Sequence, residues 1–180
     1  SLNTLKLSSG VIFSYKGAFE SYKRKLKESQ VVRVIYHPVN AEFYKCCKSA
    51  DFKYDLIYVG RLSQEKGIHL LLEAMEILQK KHEIYLNLAI VGDGIALKNL
   101  EELVKRLGLK KIYFLGFKKN IPQLLEQSRV MILPSLSEGC SGVTKEAVVA
   151  KTPVVVANVE SGGPQEMIGF GKYGEIFSLS

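Results

Sequence analysis

The stretch Ser137-Glu138-Gly139-Cys140-Ser141-Gly142-Val143-Thr144-Lys145-Glu146-Ala147 carries two carboxylates with seven residues between them. A glycine-containing loop leads into a helix read over residues 142–150. That places Glu146 within the first turns, where the positive helix terminus favours a carboxylate. Glu138 sits before the helix, near a strand end. Both can face one pocket, with the loop amides between them aimed at an anion. Carboxylates that accept from vicinal hydroxyls, beside amides that hold phosphate, describe a sugar nucleotide. A glycosidase-type pair of acid and nucleophile is the rival, but no second strand supplies its opposing carboxylate. Cys140 lies in the same loop with no His evidently near to serve as base, so it reads as structural.

Three further loops hold candidates. Gly60-Arg61-Leu62-Ser63-Gln64-Glu65-Lys66-Gly67 places Arg61 and Lys66 five residues apart, between a strand end and a helix start. Two cations beside helix-terminal amides suit a diphosphate; an ordinary surface loop is the plainer explanation. Gly92-Asp93-Gly94 ends another strand, where glycine lets a backbone approach a ligand. A tight turn explains it as well, and no G-x-G-x-x-G with a downstream acid accompanies it, so a nicotinamide cofactor has little support. Glu160-Ser161-Gly162-Gly163-Pro164-Gln165-Glu166 is a glycine-rich loop that shapes a sugar pocket or simply turns the chain.

The elements that position these loops alternate. Strands are read at 55–60, 84–92, 111–115, 130–134, 153–157 and 175–177. Helices are read at 67–82, where Ile68, Leu71, Leu72, Met75 and Leu78 keep helical spacing, and at 96–107, stopped by Gly108. Others are read at 120–127, capped by Asn120 with Pro122 in the first turn, at 142–150 and near 165–168. Continuous apolar strands alternating with helices predict a Rossmann-like α/β fold, a parallel sheet covered on both faces. Ligands then sit beyond the carboxyl ends of the strands, where every candidate loop falls. The first 50 residues differ: a strand at 10–14, a basic helix at 15–28, a strand at 31–36 and a turn at 37–40. The organisation expected is residues 1–36 as the end of one domain, 37–53 as a linker, and 54–180 as a second domain.

Composition bounds the rest. The 180 residues, 47% hydrophobic and 24% charged, suffice for one domain plus a piece of another, without a disulfide staple. No apolar run reaches the roughly 18 residues of a membrane span. The chain opens on Ser1, and residues 1–15 lack a signal peptide's apolar run and cleavage site, which reads as a cut within a longer polypeptide. Cys46, Cys47 and Cys140 form no C-x-x-C, and His37, His69 and His82 make no ligand spacing with them. A reducing, cytoplasmic setting without metal is expected. Residues 1–50 hold nine Lys/Arg against three Asp/Glu, and residues 51–180 sixteen against fifteen, so the net +7 belongs to the first segment. Lys16, Lys23, Arg24, Lys25 and Lys27 either touch an anionic leaflet or are simply solvated. No nucleic-acid partner is expected.

The segments YVGRLSQEKGIHLLLEAM, LAIVGDG, YFLGF, VMILPSLSEG and EAVVAKTPVVVANVESGGPQEMI occur in the order seen in the retaining GT-B glycosyltransferases of family 4, also called group 1. The sequence resembles that family from about Val11 onward, and Glu138-x7-Glu146 is the most specific part of the match. VIFSYKGAFESYKRKLK and VIYHPVN resemble the end of the family's N-terminal domain and its linker strand. The resemblance implies that Arg61 and Lys66 bind the donor diphosphate and stabilise its leaving charge, and that Glu138 contacts the transferred sugar. It implies that Glu146 accepts from the ribose hydroxyls. Gly139, Cys140 and the amides around Ser141, Gly142 and Val143 would hold phosphate, and Gly60, Gly92 and Gly94 would admit the nucleotide. It further implies retention of anomeric configuration by a front-face route, no metal or other cofactor, a nucleotide-sugar donor, and a saccharide or lipid-linked acceptor. Cys140, Ser141 and Gly142 stand where the family often has E-G-F-G or E-G-L-P-N, and His37 and Asn40 depart from the usual linker turn. Most of the acceptor-building domain is missing from the match, so this chain is expected to bind donor without efficient turnover. A GT-B sugar-nucleotide epimerase and a non-catalytic nucleotide-binding or membrane-docking module are the alternatives.

Overall fold

A computed structural model of the chain describes residues 2–45 and 51–179; Cys46 and Cys47 lie outside them. Six parallel strands form the main sheet in the order β5-β4-β3-β6-β7-β8. They are β3 (Tyr54–Val59), β4 (Leu88–Val91), β5 (Ile112–Gly116), β6 (Ser128–Leu133), β7 (Val154–Ala157) and β8 (Gly174–Phe177). Leu56 pairs with Leu88 on one side and Val130 on the other, which fixes the central register. From β3 the chain builds outward to β4 and β5, then returns to place β6 on the opposite flank of β3. The loops after β3 and β6 therefore flank the switch point of the sheet, where a crevice opens in folds of this kind.

The helices between the strands are α3 (Ile68–His82), α4 (Leu97–Leu107), α5 (Ile121–Glu126), α6 (Gly142–Val149) and α7 (Gly163–Met167). Helix α3 buries Ile68, Leu71, Leu72 and Met75, the stripe expected from spacing, and ends on Lys80, Lys81 and His82, which suit its negative terminus. Gly108 stops α4 in the left-handed conformation. Every residue of β4 is buried, as a central parallel strand requires.

Several boundaries differ from expectation. β4 begins at Leu88 rather than Ile84, because Glu83 closes α3 in a left-handed turn and residues 84–87 are needed to return to the sheet. Asn120 occupies the cap position of α5, but its side chain makes no capping bond. Helix α1 (Leu2–Leu7) precedes the first strand and was not foreseen.

The N-terminal segment makes its own two-stranded parallel sheet, β1 (Gly10–Phe13) with β2 (Val31–Val34). The helix expected at 15–28 is only α2 (Lys16–Tyr22), followed by one 3-10 turn at Lys23–Lys25 that ends as Leu26 becomes extended. With three residues per 3-10 turn, consecutive side chains point about 120° apart. Lys23, Arg24 and Lys25 therefore do not share a face. Lys23 pairs with Glu20, and the Lys25 ammonium lies 5.1 Å from the Tyr22 ring centroid. No helix among the described residues is long and apolar enough to cross a membrane.

Candidate functional site

The loop after β3 is anchored from beneath. Tyr58 is fully buried, and its hydroxyl donates to the Arg61 carbonyl at 2.9 Å. Burial, with the nearby Glu138 and Glu65 charges, pushes this phenol far above its ordinary value, so it stays a neutral donor. Leu62 is also fully buried, whereas Arg61 is exposed beside it. Residues Gln64–Lys66 make a 3-10 turn, and Gly67 follows with φ +65. A Cβ on Gly67 would lie 2.0 Å from the Pro134 carbonyl, so only glycine lets this loop press onto the loop after β6. The Leu136 amide donates across the gap to the Glu65 carbonyl at 2.9 Å.

This contact brings Lys66 to Glu138. Their Nζ and Oε2 are 2.6 Å apart, with side chains only 17% and 15% exposed. The Ser135 hydroxyl approaches the same oxygen at 3.4 Å. Lys66, read from sequence as a diphosphate ligand, is thus committed to a carboxylate in this structure.

Helix α6 starts where Ser141 caps it. Its Oγ accepts from the Thr144 amide at 3.3 Å and from the Thr144 hydroxyl at 2.8 Å, and both residues are buried. The Gly142 and Val143 amides are the first two of the helix and have no acceptor within it. Gly139 and Gly142 face open space. Glu146 is the fifth helical residue, in the second turn of α6, and so lies within the first turns as expected. Burial alone pushes the Glu146 carboxyl up, because neither hydrogen bond nor ion pair reaches it among the described residues. The Cys140 sulfur lies 3.9 Å from that of Met167. Burial pushes its thiol up, opposed by Lys145 and aided by Glu166 and Glu138, so it remains protonated near neutrality.

A second part of the same edge joins three expected residues to three that were not foreseen. Beyond the carboxyl ends of β3, β4 and β5 lies a mostly apolar cleft of about 390 Å³, where Gly60, Arg61 and Gly92 meet Phe117, Lys118 and Ile121. Phe117 is 73% exposed just past a strand end, which was the available signal. Gly92 has φ +135, and a Cβ there would fall 1.8 Å from the Gly60 carbonyl; at Gly94 it would fall 2.2 Å from the Leu62 carbonyl. These glycines thus let the loop after β3 approach closely, and Gly92 also lines the cleft. A larger groove of about 710 Å³ runs between α3 and α4, lined by His69, Glu73, Glu102 and Arg106, and none of the sequence candidates borders it.

Residues 48–178 match the family described as Glycosyl transferases group 1. The chain belongs to this family. Among group 1 relatives, an uncharacterized glycosyltransferase of Methanocaldococcus jannaschii is 33% identical over 76% of this chain and 38% of its own length. The alpha-D-kanosaminyltransferase of Streptomyces kanamyceticus is 31% identical over 58% of this chain and 28% of its own. The crystal structure of Anabaena Alr3699/HepE in complex with UDP superposes with TM-score 0.79 at 25% identity, covering 95% of this chain and 50% of that one. The fold is that of the GT-B glycosyltransferases, and the chain spans less than half the length of these group 1 relatives.

Proposed function

We propose that the chain forms the donor-binding part of a retaining glycosyltransferase that moves a sugar from a nucleotide diphosphate to a saccharide or lipid-linked acceptor. The observation that carries the proposal is Glu146, a half-buried carboxylate without a partner among the described residues, beside a loop whose first two helical amides have no acceptor within the helix. A buried charge left unpaired is costly, and ribose hydroxyls are donors that would relieve it. In this reading the amides around Gly142 and Val143 receive phosphate, and Arg61 adds charge from across the switch point. Lys66 holds the Glu138 carboxylate in place toward the sugar and lends positive charge to the leaving diphosphate, where preorganised charge contributes most to rate. The apolar cleft beside Phe117 receives the face of the base. The linker 37–53 would separate this part from an acceptor-building domain to which residues 1–36 belong.

The UDP complex of the Anabaena relative supports a nucleotide-sugar donor. No metal enters the proposal, because the cations and amides already supply positive charge to the phosphates. Calorimetry with UDP, GDP and ADP in the presence of a chelator tests it. Heat is expected for at least one of them, and it should vanish in Glu146→Gln. Folded protein that gives no heat with any of the three would overturn the reading.

A further inference from the structure

The transfer reading leaves Glu166 without a task, yet this carboxylate accepts three hydrogen bonds. It belongs to α7 and accepts from the Lys16 amide at 2.8 Å, from the Gly17 amide at 2.9 Å, and from the Tyr36 hydroxyl. Lys16 and Gly17 are the first two residues of α2, whose amides have no acceptor inside their own helix. A residue of the main sheet's last helix thus caps a helix of the N-terminal segment and holds the end of the linker strand as well. Burial raises the Glu166 carboxyl, but the Tyr36, Lys16 and Gly17 donors outweigh it and hold the group below its ordinary range. Helix α6 grips the same linker. The Lys145 ammonium lies 5.6 Å from the Tyr36 ring centroid and donates to the His37 carbonyl.

The clasp continues into the proposed site through two contacts. A Cβ on Gly17 would sit 2.9 Å from the Ser161 carbonyl, so α2 rests directly on the loop before α7. The Ser161 hydroxyl donates to the Glu138 carbonyl. At the start of α7, a Cβ on Gly163 would fall 1.7 Å from the Gly139 carbonyl, so this helix end and the Glu138 loop are pressed together with no slack. Gln165 stiffens the loop before α7 by donating to the Asn158 side chain and the Val159 carbonyl.

We propose that Glu166 is a positioning residue that ties the N-terminal segment to the Glu138 loop, so that the backbone of Glu138 is set only while α2 is docked. The relevance of this to sugar transfer rests on the reading given above; the coupling itself does not. It is a physical claim about contiguous packed contacts, and a coupling measurement decides it.

The test uses the 180-residue chain, amide exchange at Lys16 and Gly17, and backbone order parameters for residues 138–141. In Glu166→Ala, exchange at Lys16 and Gly17 should accelerate about tenfold to a hundredfold, the loss of charge-assisted bonds. The order parameters of 138–141 should fall from the rigid range, about 0.85, toward 0.6 or lower. Exchange in β4 should be unchanged, which separates the effect from general unfolding. Glu166→Gln keeps an acceptor oxygen and should restore part of both signals. Ser161→Ala should loosen 138–141 while leaving Lys16 and Gly17 protected. If Glu166→Ala does not fold, Tyr36→Phe removes one donor and should give a smaller change of the same kind. The proposal is overturned if Lys16 and Gly17 are released while 138–141 stay rigid, or if β4 loosens equally. Absence of UDP, GDP or ADP binding by the unmodified chain would instead remove the donor reading and leave the coupling to its own result.

Discussion

Glu138 and Glu146 differ in what surrounds them. Glu138 has an ammonium at 2.6 Å, whereas Glu146 is partly buried with no partner among the described residues. A carboxyl raised by burial is favoured by folding in its neutral form. Its contribution to stability is present below the unfolded pKa, about 4.3, and is lost as pH rises through the higher folded value. Glu146→Gln removes that loss. The variant should melt higher than the parent at pH 7, by about 2–4 °C for each kcal/mol regained, with no difference near about pH 3. The same change should weaken nucleoside diphosphate binding about tenfold or more, the worth of a hydrogen bond to a charged group. Paired melting curves at the two pH values and one calorimetric titration check both statements. Lys66 and Glu138 behave oppositely. Lys66→Met strands a carboxylate that is mostly shielded from water and should cost about 1–3 kcal/mol in urea unfolding. A double-mutant cycle with Glu138→Gln should recover most of that as coupling; additive losses would mean that the pair does not matter to stability. In a polypeptide competent for transfer, Glu138→Gln should lower kcat more than donor affinity, and Glu146→Gln the reverse.

At the level of elements, the site is a set of loops pressed against one another. The loops after β3 and β4 share the Gly92–Gly60 contact, and those after β3 and β6 share the Gly67–Pro134 contact. Substitution at either glycine forces a backbone apart and places a side chain in a left-handed conformation. Gly92→Ala should cost about 2–4 kcal/mol, combining backbone strain with overpacking. It should also shift Arg61 away from the cleft, so nucleotide binding should weaken more than stability alone explains. Thermal melting and calorimetry on the same preparation separate the two effects. Gly142→Ala meets open space, and its melting temperature should stay near that of the parent. The comparison isolates packing from helix propensity, since alanine is the better helix former.

Over the whole molecule, a small two-stranded sheet is fastened to a six-stranded one through a helix cap, the segment after β2 at Tyr36 and His37, and two loops. The cations of the smaller part, Lys16, Lys23, Arg24, Lys25 and Lys27, do not form the amphipathic face expected of a longer helix. We propose contact with an anionic leaflet only through their summed charge, each cation worth about 1 kcal/mol near such a surface. Sedimentation with phosphatidylserine vesicles should then be weak, abolished by salt, and reduced when Lys23, Arg24 and Lys25 become Gln. Sedimentation indifferent to salt and lipid charge would dispose of it.

What the sequence alone determined follows from local rules. The alternation of apolar strands with periodic helices required a parallel sheet, and strand ends followed by Gly, Arg, Lys and Glu marked the edge where ligands sit. Ile68 to Met75 were legible because one helix face must be buried whatever lies opposite. Gly108 was legible because a left-handed stop is a local preference. The tertiary structure decided what depends on residues distant in sequence. The Lys66–Glu138 pair joins positions 72 residues apart, and nothing near either one announces the other. The glycines at 92 and 94 were legible as places of close approach, but only the fold shows that the loop after β3 is what a Cβ on either would meet. Nothing in the glycine-rich loop and short helix around Glu166 pointed to its role, because the amides it caps lie about 150 residues earlier in the chain. The ion pair with Lys66 separated the two glutamates, both of them partly buried, and that pair belongs to the assembled loops rather than to the spacing of residues along the chain.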